Sequence, residues 1–314
     1  MINDWEPRFL RQIKRILSSG LYEEAVEIHL FACDTTDEKK INLDRIICDL
    51  PKIELHYTNI NHGGEYLALL KIDEFRNKSN FKILYFHTKG VYNKYKNFVT
   101  NELDNLKIES INCWVEMMEY FLLDNWKSCS GKLGEYDTVG VSNFNGWWWG
   151  NFWWTTSEHI RNLAPLGQYY HDRWSAEAWL HDSHSDKQAI KFYEFKRMEY
   201  DPHYSRLPKY LYDGTNVKGI KFEIDEAKYG WFSEQRDEGS PFLSNSSIIE
   251  DVTERVREII MQNNGKVEIM PIMFMGVRDV APGREKILRI KFRTNIDPEN
   301  EYVISSFRDW KITL

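Results

Sequence analysis

At 314 residues, with 42% hydrophobic and 28% charged side chains, the chain has the balance of an ordinary globular protein and the length for two modest domains, which excludes a disordered or fibrous one. Its 41 Lys and Arg against 48 Asp and Glu leave a net charge of −7, which argues against nucleic acid held through its phosphates as a partner. Aromatic residues reach 15%, with 12 Trp, more than packing ordinarily requires and a common way of offering flat apolar faces to sugars or bases.

Asp4 and Pro7 open a helix whose apolar positions Trp5, Phe9, Ile13, Ile16 and Leu17 share one face, and Gly20 closes it. Residues 25–33 set Val26, Ile28 and Leu30 against Glu27 and His29 and predict a strand. Strands are also predicted at 52–58 and 81–87, separated by a helix over 65–75. The alternation of strand and helix predicts an α/β fold, a Rossmann-like and mostly parallel sheet flanked by helices, with ligands outside the carboxyl ends of the strands. Residues 109–129 predict one or two core helices through Ile111, Trp114, Met117, Met118, Phe121 and Leu122. A strand at 137–142, a Trp-dense loop at 143–150, an extended segment at 151–155, helices from Ser157 and over 175–181, and a strand at 189–195 follow.

Between residues 201 and 218 the pattern dissolves into Pro, Tyr, Gly and Asn, which divides the chain into residues 1–215 and a smaller β-rich domain at 216–314. That domain reads as a strand at 220–225, a helix at 249–261, strands at 266–274 and 287–292, and a final hairpin of 302–307 and 310–314. Cys33, Cys48, Cys113 and Cys129 lie far apart in or beside apolar stretches, so buried free thiols and a reducing compartment are expected. No apolar run reaches the roughly 18 residues of a membrane span, and no secretion signal opens the chain. The expected location is the cytoplasm, with the membrane surface as the alternative.

Four segments can carry chemistry. In Tyr85-Phe86-His87-Thr88-Lys89-Gly90 an apolar strand ends in a polar tip and a glycine, the place where an α/β enzyme meets its ligand, or simply a turn. Residues 146–154 hold five Trp, two Gly and Asn151; indoles suit pyranose faces and an amide suits hydroxyls, although some of these Trp must be packing. Arg173 and Glu177 stand four apart on a predicted helix, as a ligand pair or a surface ion pair. His203, in Asp201-Pro202-His203-Tyr204, can ligate a metal or sit in a turn.

Taken in order, Tyr-Phe-His-Thr-Lys-Gly at 85–90, Tyr-Asp-Thr-Val-Gly-Val at 136–141, Gly-Asn-Phe-Trp-Trp at 150–154 and Arg-Trp-Ser-Ala-Glu-Ala-Trp at 173–179 resemble a family of GT-A-fold glycosyltransferases of bacteria and large DNA viruses, over about residues 1–212. The resemblance implies transfer of a sugar, as a hexosyl unit, from a nucleoside-diphosphate donor to a hydroxyl of a glycan or glycoconjugate. It implies donor contacts at His87, Thr88, Lys89, Gly90, Arg173, Trp153 and His203, and catalytic roles among Glu177, Asp172 and Asn151. Two features depart from the pattern: Trp147 to Trp149 replace the usual His-Phe-Ser, and the chain starts after the first strand of its relatives. No Asp-x-Asp follows the strand, so metal ligands are not assigned. A divalent cation, Mn²⁺ or Mg²⁺, can be held by the diphosphate with help from His87 or His203, or the charge can be met by Lys89 and helix N-termini without metal. The alternative function is a catalytically silent carbohydrate-binding or assembly protein. The segment after residue 216, with Tyr229-Gly230, Asp251-Val252-Thr253, residues 279–283 and 309–312, resembles the small β domain of certain J-domain co-chaperones, which implies a docking module for a protein partner.

Overall fold

A computed structural model describes residues 5–33, 36–58, 64–78, 80–88, 105–141, 143–144, 147–168, 177–181, 190–191, 205–213, 219–232, 248–263, 268–269, 286–307 and 312–313. The fold is mixed α/β, in two compact units: residues 3–91 with 118–194, and residues 92–117 with 195–314. Relative to a division at residue 215, residues 92–117 and 195–215 go with the C-terminal unit.

The first unit opens with α1 (Trp5–Ser18), Pro7 in its first turn, where its missing N–H costs nothing. Its buried residues are Phe9, Gln12 and Ile16, whereas Leu17, expected on that face, is exposed. After α2 (Leu21–Glu24), β1 (Ile28–Cys33) pairs in parallel with β2 (Ile53–Thr58) across α3 (Asp37–Ile47). Leu30, Ala32 and Leu55 pack with Phe9 of α1 and Leu43 of α3. The Lys52 ammonium donates to the carbonyls of Tyr22, Glu23 and Ala25 at 3.0, 2.6 and 2.8 Å, meeting the acceptors at the end of α2 with a cation.

α4 (Gly64–Glu74) precedes β3 (Lys82–Tyr85); α5 (Asn105–Glu119), which up to Met117 belongs to the second unit, runs into a π-turn at Tyr120–Asp124 and then α6 (Trp126–Lys132). The Glu119 side chain is fully buried and held by Arg11 Nε at 2.8 Å and Arg15 Nε at 3.3 Å, while Arg15 also pairs with Asp124. The Trp126 indole donates to Ser19 O at 3.0 Å.

β4 (Thr138–Gly140), the small hairpin β5 (Asn143–Phe144) and β6 (Trp147–Trp148), β7 (Trp153–Thr156), α7 (Ser157–Asn162) and β8 (Ile190–Lys191) complete this unit. The sheet order is β3-β7-β4-β8. Only β4–β8 runs parallel in it, and β7 lies antiparallel between β3 and β4. The described strands therefore do not form the mostly parallel sheet expected from the alternation. The link from β4 to β7 is a hairpin and a tight turn rather than a crossover helix, and such a link returns the chain antiparallel. The segment 143–150, expected to be a Trp-dense loop, contains that hairpin.

The second unit contains β9 (Phe222–Trp231), β10 (Ile248–Asp251), α8 (Thr253–Gln262), β11 (Glu268–Ile269), β12 (Ile287–Thr294), β13 (Asp297–Phe307) and β14 (Ile312–Thr313). Four strands make an antiparallel sheet, β10-β9-β12-β13, with Ile224, Ala227, Ile290, Phe292 and Ile304 buried. Gly230 has φ 150°, and a Cβ there would fall 2.2 Å from Ile248 O, so the β9–β10 approach requires glycine. Asp251 accepts from Thr253 N–H at 2.9 Å, which turns the end of β10 into the start of α8. The Thr253 hydroxyl in turn accepts from Ala227 N–H at 2.8 Å, so the Asp-Val-Thr segment joins helix to sheet. The final hairpin expected from the sequence is corrected: β13 pairs with β12, and β14 pairs with β11.

Of the cysteines, Cys129 is buried and Cys113 partly so, but Cys48 is exposed at the end of α3, contrary to the expectation of burial. Burial pushes the Cys129 thiol up to about 12 and the Cys113 thiol up to about 11. No helix among the described residues is long and apolar enough to cross a membrane.

Candidate functional site

The site is built where β3 ends and the chain enters β7. Tyr85 is buried against Trp153, with ring centroids 5.0 Å apart, and pins the strand end to its antiparallel neighbour. His87 and Thr88 follow directly and are half-buried; Lys89 and Gly90 lie outside the described residues. His87 Nε2 sits 2.9 Å from Gly150 O and 3.1 Å from Glu65 Oε1, its ring meets Phe152 edge-on at 5.0 Å, and its own carbonyl accepts from Gln12 Nε2 at 3.1 Å. The strand tip and the Gly-Asn-Phe-Trp-Trp segment, separated by more than 60 residues in sequence, are thus joined through one imidazole. Gly150 O can only accept and a carboxylate does so when ionised, so Nε2 carries the proton.

Asn151 is 2% exposed and has φ 56°, the only positive φ at a non-glycine position among the described residues. It follows Gly150, itself at φ 76°. A left-handed pair of residues lets the chain turn from β6 into β7 within one short 3₁₀ turn, and Asn tolerates this region better than most side chains. Its Oδ1 accepts from Trp153 Nε1 at 2.8 Å. Its Nδ2 is buried without a hydrogen-bond partner among the described residues. A buried amide N–H₂ left unpaired costs about 1–3 kcal/mol, and a backbone held in a sparsely populated region adds to that cost. Such combinations cluster where a ligand completes the bonding.

The Trp-dense segment is largely packing where it is described. Trp153 is 1% exposed and holds Asn151, so it acts on any ligand through that amide. Trp154 donates to Leu122 O at 3.0 Å, and Trp148 lies against Gly140 so closely that a Cβ there would meet its ring at 2.3 Å. The glycine of Thr-Val-Gly-Val is thereby explained: it makes room for an indole. The side chains of Trp147 and Trp149 lie outside the described residues.

Glu177 is half-buried just ahead of a 3₁₀ turn, Trp179–His181. Two bonds anchor that turn: Trp179 Nε1 donates to Ala164 O at 2.9 Å, and His159 Nε2 donates to Leu180 O at 2.9 Å. Burial holds the His159 imidazole below its ordinary value against the raising effects of Leu180 O and Asp137, so the ring works as a neutral donor. Asp172, Arg173 and His203 lie outside the described residues.

Two sets of residues went unread in the sequence. Glu65 and Gln12 hold His87 from either side; nothing marks them in isolation, because both come from helices remote in sequence. His29, Glu54 and His56 converge on one face of β1 and β2; here the Glu-x-His alternation at 54–56, opposite a His at the same phase of the preceding strand, was the available signal. No protein-family model, curated protein or solved structure matches this chain.

Proposed function

We propose that this chain is a glycosyltransferase, moving a hexosyl unit from a nucleoside-diphosphate sugar to a hydroxyl of a glycan or glycoconjugate. The observation that carries the proposal is Asn151, buried, left-handed and with its amide N–H₂ without a hydrogen-bond partner among the described residues, beside the His87 strand end. A donor amide in that state asks for an oxygen-rich ligand, such as sugar hydroxyls or a diphosphate. The four motifs in register, from Tyr85-Phe86-His87 to Ala178-Trp179, supply the class of reaction, and with it a GT-A-like arrangement of the first unit.

In this reading the phosphates lie along His87 to Gly90, where Lys89 answers their charge, with Arg173 and His203 contributing, and Asn151 donates to the donor sugar. Glu177 or Asp172 is the carboxylate nearest the anomeric carbon. The acceptor hydroxyl oxygen forms a bond to that carbon as the bond to the diphosphate breaks. With inversion the hydroxyl proton passes to the carboxylate; with retention it passes to the departing diphosphate oxygen while the carboxylate faces the developing positive charge. A divalent cation at the diphosphate adds charge neutralisation. The second unit serves as a docking module for a protein partner.

The test is a thermal-shift screen of the whole chain against nucleoside diphosphates and their sugars, with and without Mn²⁺, since a ligand bound only by the native state raises its apparent stability. One diphosphate should stabilise the chain, Lys89→Ala should weaken its binding, and Glu177→Gln should lower turnover with donor affinity kept. No shift with any donor overturns the proposal.

A further inference from the structure

His29 stands level with Glu54 across the parallel β1–β2 ladder, and Phe31 level with His56, so all four side chains share one face. His29 Nδ1 lies 3.0 Å from His56 Nε2 and 3.3 Å from Glu54 Oε2, and His56 Nε2 lies 3.6 Å from Glu54 Oε1. We propose that His29, Glu54 and His56 form a binding site for a divalent first-row transition cation of the zinc type.

Two imidazoles and one carboxylate are a donor set suited to such an ion, where Mg²⁺ or Ca²⁺ would want oxygen throughout. Bonds of about 2.0–2.1 Å place the corners of a tetrahedron about 3.3 Å apart, close to the 3.0 to 3.6 Å that separates the two ring nitrogens from each other and from the Glu54 oxygens. The alternative, a hydrogen bond between the two rings, uses one N–H and one lone pair; a cation uses the lone pair of each ring and the carboxylate together.

The surroundings fit the same reading. Glu27 Oε1 is 3.5 Å from the buried Nε2 of His29 and favours the proton on that nitrogen, which leaves Nδ1 as a lone pair facing the cluster. Phe31 stacks on His56 at 4.6 Å and Phe75 packs on His29 at 5.4 Å, so both rings are fixed before an ion arrives. Lys71, the nearby cation, is paired with Glu74 at 3.2 Å, and Glu27, Glu54 and Glu74 outnumber it. Glu54 is well exposed, which leaves the fourth corner open to water or a ligand. The site uses none of the residues assigned to the sugar donor.

The experiment titrates the metal-stripped full chain with Zn²⁺ by calorimetry and with Co²⁺ by visible absorption. One equivalent should bind, and Co²⁺ should give the intense d–d band of a four-coordinate site. The exposed Glu54→Gln, which should fold normally, and His29→Gln/His56→Gln should lose the band and weaken Zn²⁺ at least 100-fold, and Glu27→Gln about 10-fold, as outer partners of ligating histidines do. Zn²⁺ should also raise the melting temperature of the wild type and not of Glu54→Gln. Equal Zn²⁺ affinity in the wild type and these variants, or no binding, overturns the proposal and leaves a hydrogen-bonded histidine pair.

Discussion

Replacing Gly140 by alanine adds one methyl group, and the structure says where it goes: 2.3 Å from Trp148 Cε3, 2.4 Å from Cδ2 and 2.9 Å from Cζ3. Carbon atoms settle at about 3.5–4.0 Å, so the indole or the strand must yield by about an ångström. The indole has little room, being 3% exposed and packed in the cluster that includes Tyr85, Trp153, Leu163 and Trp179. Overpacking of a tight core costs about 1–3 kcal/mol, and contact with three atoms of a flat ring puts Gly140→Ala near the top of that range. For a unit of this size, roughly 2–4 °C is lost per kcal/mol, so a fall of about 5–10 °C in melting temperature is expected. Near-ultraviolet circular dichroism on heating reads it through the buried indoles. In a Trp148→Leu background the same substitution should cost under about 1 kcal/mol, since the ring it strikes is gone. A Gly140→Ala chain within about 0.5 kcal/mol of wild type, or an equal cost in both backgrounds, refutes the close-approach reasoning.

Glu119→Ala strips a fully buried carboxylate from Arg11 and Arg15 and should destabilise by about 3 kcal/mol, measured by urea unfolding. Among Cys48, Cys113 and Cys129, iodoacetamide labelling followed by peptide mass spectrometry should modify Cys48 first, Cys113 slowly, and Cys129 only on unfolding, because the last two thiols are held at about 11 and about 12. His159 has a depressed imidazole in the folded chain, so its contribution to stability is complete above its unfolded value of about 6.5 and is lost as pH falls below it. Hydrogen exchange at Leu180 and His181 should therefore speed up from pH 7 to pH 5, and His159→Gln should flatten that dependence.

The local code was legible where neighbours in sequence settle the outcome. Pro7 and Gly20 bracket α1, and Thr253 marks the start of α8 within one turn. The face of α1 was read less well, because Gln12 is drawn inward by the carbonyl of His87, 75 residues away, and Leu17 is released. The same limit applies to the sheets. Alternation of strand and helix says nothing of the order in which strands meet, so the antiparallel insertion of β7 between β3 and β4 was not readable, nor was the pairing of β14 with β11. In the candidate site, His87 and Asn151 stand out in sequence as a strand tip and an amide among indoles. That Trp153, Trp148 and Trp154 serve as supports could be learned only from what surrounds them.

The π-turn at Tyr120–Asp124 holds one residue more than an α-helical turn would, with Asn125 N–H reaching back to Tyr120 O. Each residue of a helix advances its side chains by about 100°, so this single extra residue sets the angular phase of everything after it. Asp124 and Trp126 reach Arg15 and Ser19 in that phase. Deleting one residue between 120 and 124 would shorten the chain by a negligible length yet rotate α6 by more than a quarter of a turn, swinging both away from α1. The segment thus behaves as a gearing tooth, in which the number of residues, more than their identity, keeps two helices meshed.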